Sequence, residues 1–132
     1  MVAELGFLGW SVVLLLVHII LQASLATKEF GMTYNASPRD ENPATTGLYA
    51  GRAKRALLNF LETYPAFIAL AIGLELTKRT GGTAETGALI WLCARCVYLP
   101  VYLAGIPMLR TLIWAASLIG LVMMLARFMG WS

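Results

Sequence analysis

An all-α fold of four membrane-spanning helices, arranged up-down-up-down as an integral membrane bundle, is predicted by three observations. The 132-residue chain is 59% hydrophobic and only 13% charged, whereas a soluble domain carries roughly 25% charged residues. Apolar runs long enough to cross a bilayer, about 20 residues each, recur four times. Most connections between them are short, which sets consecutive helices side by side and antiparallel. Residues 1–132 therefore read as a single transmembrane domain, with no room for a separate soluble one. The formal net charge of +3 sits mostly on short loops and helix ends, so it reports membrane topology and not a nucleic-acid surface.

The first helix is expected from about Leu5 to Lys28. It has no basic n-region, Glu4 precedes it, and Ala23-Ser24-Leu25-Ala26 only weakly imitates a cleavage site, so it reads as a retained span. His18 and Gln22 are four residues apart and share a face that points to another helix. No second ligand lies near His18, so a hydrogen bond to a neighbouring helix is expected and a metal site is not. Gly31–Gly47 is the one clear loop, rich in turn formers such as Asn35, Pro38, Asp40, Asn42 and Pro43. Its polar centre, Ser37–Asn42, reads either as a solvated loop or as a lid.

The second helix is expected from about Leu48 to Lys78, longer than one span, with Pro65 kinking it near mid-depth. Lys78-Arg79-Thr80-Gly81-Gly82 supplies the basic residues and glycines that end helices. The third helix is expected from about Ala84 to Leu103, interrupted at Pro100. Its Cys93-Ala-Arg-Cys96 pattern imitates a redox motif but sits mid-membrane, so two small packing residues are expected there. A tight break at Gly105-Ile106-Pro107 precedes the fourth helix, expected from about Met108 to Met129. Arg110 lies in its first turn, followed by Thr111 and Trp114. Arg127 and Trp131 mark the far interface.

The chemistry gathers in one half of this bundle. Arg52, Arg55, Asn59 and Glu62 are spaced i, i+3, i+7 and i+10, which puts them on one helical face. Arg95, Tyr98 and Tyr102 form a similar stripe on the third helix. A polar stripe inside an apolar helix needs a partner or a wet cavity. In the up-down topology both stripes and Arg110 share one half and converge on one site. Glu62 is the one acid in this set, and Arg95 is its natural partner. The remaining arginines, amide and phenols suit a small polyanion, because guanidinium forks grip carboxylates and Asn and Tyr add directional bonds. A cation beside a thiol also favours the thiolate. Lys28, Arg39, Arg52, Lys54 and Arg55 outnumber Lys78, Arg79 and Arg127, which places the first loop in the cytoplasm and both termini opposite.

The pattern Arg52-x-x-Arg55-Ala56-x-x-Asn59-x-x-Glu62 resembles the signature of the MAPEG family, membrane-associated proteins in eicosanoid and glutathione metabolism. So do Ala94–Gly105 and Leu109–Trp114, and the Ser-Pro-Arg-Asp-Glu loop is similar to that of small bacterial members. The resemblance covers nearly the whole chain. It implies a homotrimer in a membrane, here the bacterial inner membrane, with glutathione bound between subunits. On that resemblance Arg55, Asn59, Glu62, Arg95, Tyr98 and Tyr102 bind glutathione, and Arg52 attracts its charge. Arg110 matches the arginine that stabilises the glutathione thiolate toward a lipophilic electrophile or hydroperoxide. Two departures stand out. Leu57 and Leu58 occupy positions where some catalytic members carry a further base, and the first helix offers only Lys28 at its cytoplasmic end.

Two other functions fit the same residues. A non-catalytic lipid-binding or accessory subunit would use the same groove, as one branch of the family does. A transporter would need polar residues through the whole bundle, and Ala66–Ile72 and most of Leu112–Leu121 are apolar.

Overall fold

The computed structural model describes residues 1–30 and 48–131. The expectations for the Ser37–Asn42 loop and for Arg39 lie outside these residues. Four α-helices make up nearly all of the described chain: α1 Ala3–Phe30, α2 Leu48–Leu76, α3 Thr83–Ala104 and α4 Pro107–Met129. Each begins and ends within two residues of its expected boundary, and each is long and apolar enough to cross a membrane.

The helix ends alternate between two poles, as an up-down-up-down bundle requires. At one pole the Glu4 carboxylate, beside the start of α1, accepts the Gly81 N–H at 2.6 Å just before α3 begins. At that same pole Arg79, past the end of α2, donates to the Phe128 carbonyl of α4 at 2.8 Å. At the other pole Arg52, in the first turns of α2, donates to the Leu103 carbonyl at the end of α3 at 2.8 Å. α1 packs on α2 and α3, α4 packs on α3 and α2, and α1 does not meet α4.

Aromatic rings hold the centre. Trp91 of α3 stacks on Phe67 of α2, with centroids 3.9 Å apart and planes 11° from parallel. It also faces Tyr64 and Phe60 at 6.0 and 5.7 Å. Tyr64 closes this group onto α1 through its hydroxyl, 2.9 Å from Ser11 Oγ. His18 is buried and stacks on Phe60 at 4.9 Å. Neither of its ring nitrogens has a hydrogen-bond partner among the described residues, and ring packing takes the place of the expected interhelical hydrogen bond. The imidazole ring is flat and polarisable, and the face of Phe60 accepts it as another ring.

Two further expectations change. α3 runs through Pro100 without interruption. The proline lacks one helical N–H, and membrane helices tolerate that loss. Cys93 and Cys96 are exposed and free, so they face outward and are not packing residues of this bundle. Leu58 and Leu61 also face outward, while Ala53, Ala56, Phe60, Tyr64 and Phe67 form the inner face of α2. Much of the apolar surface is left uncovered, including Leu16, Ile20, Leu112 and Val122. In a bilayer that surface meets lipid or another subunit.

α3 and α4 come close together at a pair of glycines. A Cβ on Gly87 would lie 2.5 Å from the Gly120 carbonyl oxygen, and one on Gly120 would lie 2.5 Å from the Gly87 carbonyl oxygen. Small residues let the two backbones touch, which is how membrane helices gain packing energy where lipid is as apolar as a side chain. Gly87→Ala and Gly120→Ala should each lower stability by about 1–3 kcal/mol, the usual cost of overpacking. Gly6→Ala, where a Cβ would meet nothing within 4 Å, should not. Thermal unfolding in detergent measures this, and equal melting of all three variants would remove the crossing from the account.

Candidate functional site

Arg95 is the most fully buried charge among the described residues. It is fully buried on α3, and its Nη1 donates to Asn59 Oδ1 on α2 at 2.9 Å. The guanidinium carbon lies 4.3 Å from the centroid of Tyr98 and 5.5 Å from that of Phe60. Nε and Nη2 have no hydrogen-bond partner among the described residues, and the two ring faces take up the charge that no acceptor meets there. This corrects the expected Glu62–Arg95 pair: Asn59, one turn from Glu62 on the same stripe, is the partner. Glu62 is exposed and makes no ion pair among the described residues.

In front of this buried group lies a cleft of about 520 Å³. α2 lines it with Arg55, Leu58, Asn59 and Glu62, α3 with Tyr98 and Tyr102, and α4 with Arg110, Thr111 and Trp114. The Arg110 guanidinium sits 5.1 Å from the Tyr102 ring centroid, and Tyr102 in turn lies 5.6 Å from Tyr98. The sidechains of Arg55, Glu62 and Arg110 have no hydrogen-bond or ion-pair partner among the described residues. Two arginines and one carboxylate with unmet bonding capacity, edged by two phenols, make a site able to grip a small zwitterion or polyanion.

Six of the eight residues singled out from sequence line this cleft: Arg55, Asn59, Glu62, Tyr98, Tyr102 and Arg110. Arg95 stands behind it as support for Asn59 and Tyr98. Arg52 has a different task. Besides its bond to the Leu103 carbonyl, it lies against Gly105, where a Cβ would come within 2.6 Å of Nη2. Gly105 ends α3 in the left-handed region, φ 75°, and Arg52 covers carbonyls that the helix terminus leaves open. Arg52 still borders a smaller hollow of about 200 Å³ that shares Arg55, Tyr102 and Arg110 with the cleft.

Leu58, Thr111 and Trp114 were not among the expected site residues. Trp114 follows Arg110 by four residues, so helical spacing alone places it on the same face. Its indole N–H is buried with no partner among the described residues. Leu58 gave no such signal, because a leucine on a membrane helix reads as lipid-facing, and it is indeed half exposed.

A membrane-spanning four-helix bundle with an arginine-lined cleft in one half is the class of protein that this fold and site define. The particular family follows from comparison with known proteins. The chain belongs to the MAPEG family, whose model matches residues 7–130 and so takes in all four helices. No curated protein and no solved structure gives a significant match.

The Asn59–Arg95 bond is open to a double-mutant test. Asn59→Ala should cost about 1–3 kcal/mol by leaving a buried guanidinium unmet. The double variant Asn59→Ala/Arg95→Met should cost clearly less than the two single changes added together. Additive losses in thermal unfolding would show that the two groups do not depend on each other.

Proposed function

We propose that the protein is a membrane-bound, glutathione-dependent transferase or peroxidase that acts on lipophilic acceptors. The observation that carries this reading is one cleft lined by polar groups from three helices, in which Arg55, Glu62 and Arg110 have no hydrogen-bond or ion-pair partner among the described residues and Arg110 lies against Tyr102. Glutathione carries two carboxylates, an ammonium and a thiol. Arg55 and Arg110 suit the carboxylates and the sulfur, Glu62 suits the ammonium, and Asn59 and the tyrosines add directional bonds. MAPEG membership supports the assignment.

The chemistry asked of the protein is modest. Glutathione supplies a sulfur nucleophile and two-electron reducing power. Free thiols of this type have a pKa of about 8.5, so most are protonated at neutral pH. A guanidinium held at the sulfur favours loss of that proton to water, and Arg110 is the residue assigned to this. In transfer, an S–C bond forms with the sulfur lone pair, and the displaced pair goes to the acceptor atom or its leaving group. In peroxide reduction two thiols become one disulfide, and the hydroperoxide becomes an alcohol and water. The helices hold the reactants together and supply fixed charge in a site of low polarity. The acceptor enters from the bilayer, past Leu58 and Trp114.

The exposure of Arg55 and Glu62 fits a site completed by a neighbouring subunit, and we assign a homotrimer. The membrane is the bacterial inner membrane, with the α1–α2 connection cytoplasmic.

A non-catalytic lipid-binding role is the second reading. The observation in its favour is the apolar edge of the cleft at Leu58, where some catalytic family members carry a base. An acyl lipid that copurifies and is not displaced by glutathione would select it.

Titration of the purified, detergent-solubilised protein with glutathione, followed by thiolate absorbance in the ultraviolet, tests the first reading. A saturable signal is expected. Arg110→Ala should abolish it and reduce turnover by about a hundredfold or more, the scale of losing one charge-stabilising donor. Unchanged turnover in that variant would remove Arg110 from the assigned role.

A further inference from the structure

The pole opposite the cleft carries a second cationic site. Lys78, Arg79, Arg127 and Gly130 enclose a pocket of about 250 Å³ where the ends of α2 and α4 meet. The two arginines are fixed by reciprocal bonds. Arg79 Nη1 donates to the Phe128 carbonyl at 2.8 Å, and Arg127 Nε donates to the Arg79 carbonyl at 3.0 Å. These bonds hold two like charges side by side and leave the other guanidinium nitrogens free. Lys78 makes no side-chain bond among the described residues, and none of the three cations has an ion-pair partner there. Glu4, the buried acid of this pole, is engaged by the Gly81 N–H.

The backbone at Lys78 adds a second observation. Lys78 adopts φ 56° just past the end of α2, and it is the one non-glycine with positive φ among the described residues. The ends of α3 and α4 place Gly105 and Gly130 in this left-handed conformation, as is usual. A lysine here is conformationally costly, yet it puts a third cation at the pocket.

The surroundings decide between a soluble anion and a lipid. Leu76, two residues before Lys78, and Met129 and Trp131, which flank Gly130 in the chain, are all exposed. Exposed apolar side chains and an indole next in sequence to the cations are the composition expected in a headgroup layer. A soluble anion gains nothing from them, whereas a phospholipid places its phosphate among the cations and its acyl chains along α2 and α4. We propose that this pocket binds the phosphate of an anionic glycerophospholipid, separately from the cleft at the other pole.

The test uses the full-length protein in mixed micelles and then in nanodiscs. Native mass spectrometry counts retained phosphatidylglycerol against phosphatidylcholine, and thermal unfolding is followed as each lipid is titrated. Wild type should retain phosphatidylglycerol preferentially and melt higher with it. Lys78→Gly relieves the backbone, so it should melt no lower than wild type without lipid, yet bind phosphatidylglycerol about fivefold more weakly, the usual effect of one cation at a membrane surface. Arg127→Gln should weaken binding similarly, because its amide can still donate to the Arg79 carbonyl. Lys54→Gln, at the opposite pole, should behave as wild type. Equal retention of the two lipids would overturn the proposal. So would undiminished preference in Lys78→Gly and Arg127→Gln, or stabilisation by inorganic phosphate equal to that by the lipid.

Discussion

A guanidinium in the apolar interior of a membrane protein has to be met by groups of the same chain, and Arg95 is where that constraint is sharpest. Its solution is one short bond to Asn59 and the faces of Tyr98 and Phe60. The bond ties α2 to α3, and the ring contacts fix Phe60, which also carries His18 of α1 and stands beside Trp91. The core and the cleft therefore share a wall. Asn59 and Tyr98 present one side to Arg95 and another to the open space where Arg55, Glu62 and Arg110 lie. Losing Arg95 would also disturb Asn59 and Tyr98, which line the cleft, a coupling that residue type alone does not reveal.

The same constraint explains the helix ends. A helix leaves its last carbonyls and first N–H groups open, and near a bilayer those groups need partners. Arg52 serves the end of α3, Arg79 and Arg127 serve the ends of α2 and α4, and Glu4 serves the start of α3. Several residues that look like functional charges thus also hold the termini. At the cleft pole the remaining charge stays with Arg55 and Arg110. At the opposite pole it stays with Lys78 and the guanidinium nitrogens that the helix ends do not use.

Most of the architecture was legible in the sequence because bilayer thickness and backbone hydrogen bonding leave few choices. Apolar length gave the helices, and glycine and proline gave their ends to within two residues. The cleft was legible for the same reason: helical spacing and antiparallel order suffice to gather Arg55, Asn59, Glu62, Tyr98, Tyr102 and Arg110. Pairing was not legible. Asn59 and Glu62 are one turn apart on the same stripe, and only the depth and rotation of α3 select Asn59 for Arg95. Nor did Arg52 show its cap, since that depends on where the end of α3 falls beside the start of α2. Glu4 drew notice only as a charge ahead of the first helix, and its bond across to Gly81 needs the fold to be seen.

The account rests on the claim that the cleft, and not another polar surface, is the glutathione site. An experimental structure of the protein in nanodiscs with glutathione tests this most directly. The account predicts density in the cleft with the sulfur beside Arg110 and the carboxylates within bonding distance of arginine. Glutathione bound only at the Lys78–Arg127 pole, or a cleft filled by acyl chain at saturating glutathione, would contradict it.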